Sequence, residues 1–240
     1  SHLNAHRMPD REVNSALMIK HTLKMSFLCL LLALACAFTA CAEVGSVRVP
    51  ALSPSEPPAA TEIANPKIRK LLESAEEQLT VTTGYTQDYF TIAYPNGDVP
   101  AETGACTDVV IRAFRRAGID LQKEVHEDMR ANFREYPQKW GLTKPDTNID
   151  HRRVPNLQAY FRRKGKSLPI TASPEAFKPG DVVSWDLDER GTTHIGLVSN
   201  RLDPSGKRYL IIHNIGRGAR LEDRLFEWTI TGHFRYFPVE

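Results

Sequence analysis

What this 240-residue sequence has least of is pairable cysteine: Cys29, Cys36 and Cys41 crowd one short stretch, and Cys106 stands alone after them. That excludes a disulfide-stapled scaffold. No Cys-x-x-Cys or His-x-x-x-His pair accompanies Cys106 and the histidines that follow it, so a structural zinc site lacks its usual short-range anchor. An excess of charge is missing too. After residue 41 the chain holds 27 basic and 27 acidic residues, which gives no reason to expect nucleic acid or another polyanion as partner. The longest unbroken apolar run, residues 27–38 (FLCLLLALACAF), has 12 residues, whereas a membrane-spanning helix needs about 20. With 41% hydrophobic and 25% charged residues, the composition excludes fibrous and disordered classes and suits one globular domain with extensions.

The apolar run follows Lys20, His21 and Lys24, and a basic flank before an apolar core of this length reads as an export signal. The signal is expected over residues 18–42, starting at Met18 or Met25, with residues 1–17 upstream of the natural start. Phe38-Thr39-Ala40-Cys41 approximates a lipobox, which makes Cys41 the expected lipidation site, while Ala40-Cys41-Ala42 also satisfies the small-x-small rule of ordinary signal cleavage. Residues 43–64, rich in Pro, Ala and Ser, are expected as a linker, and residues 65–240 as the folded domain. The chain is therefore expected in the periplasm, anchored to a bacterial membrane if Cys41 carries lipid.

Within the domain, Asn65 before Pro66 forms a helix start, and Ile68, Leu71, Leu72, Ala75 and Leu79 follow at helical spacing. A second helical pattern begins at Cys106 and closes at Gly118. Val125, Met129 and Phe133 predict a third helix, and Leu157, Tyr160 and Phe161 a fourth. After Pro179-Gly180 the period becomes strand-like over residues 181–187, 194–199, 209–214 and 233–237, with hairpin connections at 188–191 and 203–206. Helices first and an antiparallel meander afterwards imply an α+β domain.

The lone Cys106 has two readings, an inert core thiol or a reactive one. A thiol attacks carbonyls as thiolate, and a helix N-terminus favours that charge, so its position suits chemistry. An imidazole within reach is the second requirement. The domain offers His126, His151, His194, His213 and His233. His194 begins one predicted strand and His213 ends the next, so a hairpin places both on one sheet face, which Gly196 leaves open. A sheet packed on the Cys106 helix then presents a base and its orienting group to the sulfur. His213 and Asn214 point to opposite faces. None of this chemistry calls for a cofactor or a metal.

The order Cys106-Thr107-Asp108, Pro179-Gly180-Asp181, His194-Ile195-Gly196 and Ile212-His213 resembles the NlpC-type papain-like cysteine peptidases. Residues 107–112 (TDVVIR), 125–129 (VHEDM), 148–157 (NIDHRRVPNL) and 213–216 (HNIG) are similar to the YijF-like family of exported bacterial proteins. The resemblance spans roughly residues 65–240. It implies a papain-like fold, with the nucleophile at a helix N-terminus packed on an antiparallel sheet. It further implies Cys106 as nucleophile, His194 as general base, His213 as the group orienting it and Tyr94 as an oxyanion donor, with Tyr89 as the competitor. A Ser-Gly pair usually follows the cysteine, and Thr107-Asp108 replaces it here. Asp108 then caps the helix, holds a substrate amine, or raises the thiol pKa.

His126, Asp128, His151, Arg152, Arg153 and Asn214 enter as substrate-binding candidates through the same resemblance, the arginines suiting carboxylates. Trp185 is a candidate sugar platform or a core residue. The substrate class implied is the peptidoglycan stem peptide. The expected activity is a cysteine amidase or endopeptidase working through a thioester, with a thiol acyltransferase, an amidase on another substrate, or a non-catalytic wall-binding lipoprotein as alternatives.

Overall fold

In a computed structural model, residues 59–239 are described. The expectations for residues 1–17, for the signal segment, for Cys41 and for most of the linker lie outside them. Among the described residues no helix is long and apolar enough to cross a membrane.

Four helices precede the sheet: α1 (Pro66–Val81), α2 (Cys106–Arg116), α3 (Leu121–Asn132) and α4 (Val154–Arg163). The start of α1 follows the sequence signal, since the Asn65 carboxamide accepts from the Lys67 and Ile68 N–H groups at 2.9 and 3.4 Å and Pro66 opens the first turn. The chain packs before residue 65 as well, because the Thr61 N–H donates to the Asn200 carbonyl at 2.8 Å. The expected linker thus ends on the sheet and not short of it.

The sheet has five antiparallel strands, β1 (Val182–Asp186), β2 (Thr193–Leu202), β3 (Tyr209–Asn214), β4 (Ala219–Glu222) and β5 (Thr229–Phe234), in the order β4-β3-β2-β1-β5. The domain is α+β. The predicted meander needs two corrections. β4 was not expected, because Ala-Arg-Leu-Glu shows no strong apolar alternation; and the last strand runs from Thr229, not His233, and returns to pair with β1.

Alternation along the strands gives the sheet two cores. Val182, Ile195, Leu197, Ile212 and Phe234 face the helices, where they pack with Val109, Val110, Phe114, Leu157 and Phe161. Val183, Trp185, Val198 and Ile211 face the other way, under Phe177 and Leu225. Burying each such side chain contributes about 1.5–3 kcal/mol, so both faces must be covered, and loops do the work of a helix layer on the second.

Candidate active site

Cys106 is the first residue of α2 and is 7% exposed. Gly104, two residues earlier, stands at φ +150°; a Cβ there would come within 2.9 Å of the Asp108 Cβ, so only glycine fits this entry into the helix. The Asp108 carboxylate accepts the Ala105 N–H at 2.6 Å and receives a bidentate grip from Arg152, at 2.8 Å from Nε and 3.0 Å from Nη2. Arg152 also donates through Nη1 to the Asp88 carbonyl at 2.8 Å, and its own carbonyl accepts the Thr107 hydroxyl at 3.1 Å. One buried ion pair therefore ties together the residue before the thiol, the residue after it and two loops.

The sheet meets the sulfur at a fork. The Val198 N–H donates to Asp181 on the β1 side, and amide directions alternate along a strand, so the Ile195 N–H points toward β3. Regular pairing between β2 and β3 extends no further in this direction than Leu197 and Ile212, which frees the Ile195 N–H, and this amide lies near enough to Cys106 to favour its thiolate. Asn214 holds the fork in register with the loop before Cys106: its carboxamide donates to the Gly84 and Gly104 carbonyls at 3.0 and 2.9 Å.

His194 and His213 share one sheet face, as expected, but it is the face turned away from α2. Both imidazoles sit beside Trp228, with Trp185 tilted against His194 at 5.8 Å between ring centroids. Gly196 lies between them because a Cβ would meet Ile211 and His213 at 2.9–3.1 Å. The His194 Nε2 lies 2.7 Å from the His213 Nδ1, and the His213 Nε2 lies 3.0 Å from the Glu222 carboxylate. An ionised carboxylate only accepts, so His213 carries its proton on Nε2 and takes one from the His194 Nε2–H. That assignment leaves the His194 Nδ1 with a free lone pair, and this nitrogen has no hydrogen-bond partner among the described residues. No hydrogen bond joins Sγ to an imidazole either.

Burial pushes the Cys106 thiol up to about 12, and the nearby Asp108 adds to it, while the Ile195, Thr107 and Cys106 amides oppose. Burial likewise presses His194 down to about 3, helped by His213, and lowers His213 itself against the pull of Glu222. Thiol and imidazole therefore rest neutral.

The remaining candidates separate by what their polar atoms already hold. Tyr94 is 40% exposed and packs edge-on to His126 at 5.0 Å. Tyr85 instead lies close enough to Cys106 for the sulfur to raise its phenol, after burial. Tyr89 hydrogen-bonds Asp146 and Asn148. Trp185 is fully buried and donates its indole N–H to the Leu225 carbonyl at 3.0 Å, so it is core and not a sugar platform. Asn214 and Asp108 are buried and engaged as described, which removes both from substrate contact. Asp128 is held by Tyr136, Arg163 and Lys164. His151 is buried, and His126 leaves its Nδ1 unpartnered outside the cleft. His233 is locked by Asp181 at 2.7 Å.

Cys106 opens on a cavity of about 270 Å³ whose walls include Gln87, Trp140, Arg152, Arg153 and Thr193. Two site residues escaped the sequence reading. Glu222 sits on the unexpected β4; the hairpin register that pairs His213 with Arg220 and Ile211 with Glu222 would have pointed to it. Tyr85 lies in a loop without period, and no signal marks it.

The buried imidazoles set an acid limit on the fold. Burial, then neighbouring Arg152, lowers His151 to about 3, as burial does for His194. Unfolded histidines titrate near pH 6.5, so between about pH 3 and 6.5 the unfolded chain binds more protons. Stability is therefore full above about pH 6.5 and falls as the pH drops toward 3. Urea midpoints should decline from pH 7.5 to 5, and more gently in His151→Gln; equal slopes in the two proteins would refute the assignment.

The model of a family described as a domain of unknown function, DUF1287, matches residues 72–236. An uncharacterized protein, YijF of Escherichia coli (strain K12), is 50% identical over 185 residues, covering 77% of this chain and 89% of that protein. No solved structure matches the chain significantly. The matched span takes in the thiol, the imidazole pair, Glu222 and the Asp108–Arg152 tie, and the chain belongs to the DUF1287 family.

Proposed function

We propose that this protein is an exported cysteine amidase or endopeptidase of papain-like, NlpC-type architecture that hydrolyses an amide bond in peptidoglycan stem peptides. The observation that carries the reading is the thiol at the α2 N-terminus, whose charge the Ile195 N–H favours, with the preceding residue of that strand, His194, carrying an imidazole whose tautomer is set by the His213–Glu222 chain. As Sγ attacks the carbonyl carbon, its proton passes to the His194 Nδ1. Because both groups rest neutral, transfer accompanies attack instead of preceding it. The Cys106 N–H and the Tyr85 hydroxyl stabilise the oxyanion. The C–N bond then breaks, His194 returns the proton to the leaving amine, and water cleaves the thioester to regenerate the thiol. Export rests on the apolar segment at residues 27–38, and the wall substrate on the resemblance to NlpC-type enzymes.

Mass spectrometry of muropeptides after incubating intact peptidoglycan with the purified protein should reveal new products that Cys106→Ala does not yield. Products from neither protein would favour a wall-binding role without chemistry. One observation speaks for that second reading: the thiol is buried, and burial pushes its pKa up.

A further inference from the structure

The cavity at Cys106 has two arginines in its wall, and their donors are in different states. All three nitrogens of Arg152 are engaged, two by Asp108 and one by the Asp88 carbonyl. Arg153 donates only through Nη1, to the Asp150 carboxylate at 3.1 Å. Its Nε and Nη2, the side-on fork of the guanidinium, have no partner among the described residues. The guanidinium lies over the Trp140 ring, 4.1 Å from the centroid, and both side chains line the same cavity as the thiol. A stacked guanidinium is fixed in plane, and a free fork in that plane matches the two oxygens of a carboxylate. Asp150 only partly offsets the charge, since its other oxygen is bound by the Asp146 N–H. The cavity, about 270 Å³, has room for one or two residues beside the thiol.

We infer that Arg153 determines specificity by taking a free carboxylate of the substrate within a residue of the scissile carbonyl, so that the preferred substrates are acidic acyl donors. The inference rests on Cys106 as nucleophile for its place in a reaction, but not for the binding itself, and the two are tested apart. In the full chain carrying Cys106→Ala, the Trp140 indole N–H is followed by NMR while N-acetylglycine or N-acetylglycinamide is added. The acid should shift the signal at about a tenfold lower concentration than the amide, and Arg153→Gln should level them. Equal titration by both compounds, no shift by either, or a preference that survives Arg153→Gln would overturn the assignment. In the chain with its cysteine intact, the ratio of iodoacetate to iodoacetamide alkylation at Cys106 should exceed that of a free thiol and fall in Arg153→Gln. Inertness to both reagents alongside a preserved NMR preference would remove the nucleophile and leave the carboxylate site standing.

Discussion

Replacing His194 with alanine is expected to lower kcat/KM on the wall substrate by about 10³-fold or more, the upper range for a lost general base. The reason is the state of the sulfur. With burial pushing its pKa up to about 12, Cys106 is almost wholly thiol at pH 7, so attack without a base draws on very little thiolate. His213→Ala should cost less, about 10–100-fold, because His194 keeps its nitrogen and loses only its orientation and tautomer. Glu222→Gln should cost less again, since an amide still accepts from the His213 Nε2–H at 3.0 Å. The measurement is product formation in the muropeptide assay for the three variants. Small and equal losses for His194→Ala and His213→Ala would sink the base assignment.

Arg152→Ala should destabilise the fold by about 3–5 kcal/mol, the usual cost of leaving one member of a buried ion pair without its partner. The side chains of Arg152 and Asp108 are 2% and 3% exposed, so removing either leaves the other charge buried without its partner. Against a total stability of about 5–15 kcal/mol, that is a large fraction. Asp108→Ala should be similarly costly and also frees the Ala105 N–H just before the nucleophile. The double variant should lose clearly less than the sum, because neither charge is then orphaned. Urea denaturation of the four proteins gives the comparison. A loss under about 1 kcal/mol for both single variants would mean the pair is dispensable.

Local signals were legible and long-range ones were not. Asn65-Pro66, the helical periods and the β-branched runs after Gly180 each act within a few residues, and they placed the four helices, Cys106 at a helix start and three strands. The pairing of His194 with His213 followed from one hairpin. Which face they occupied did not, because it depends on where the helices lie across the whole sheet. The resemblance points to Tyr94, yet the fold of a loop without period decides which tyrosine approaches the sulfur, and it brings Tyr85. Asp108 does raise the neighbouring thiol, as its place in the first turn implies, but the partner that holds it, Arg152, lies 44 residues away and is not legible from the spacing.

The imidazole chain ends at an edge strand, on a carboxylate whose side chain is 24% exposed, while the cavity beside Cys106 is walled by α2, the Asp150–Arg152 turn and loop residues. On the proposed reading, reactivity and recognition are thus adjusted from separate places. Substitutions around Glu222, including at Arg224, can retune the strength of the base without reshaping what the cavity admits. Changes at Gln87 or Trp140 can alter what is admitted while the base stays as it was. On the proposed reading, an inhibitor built to fill the cavity leaves the proton path untouched.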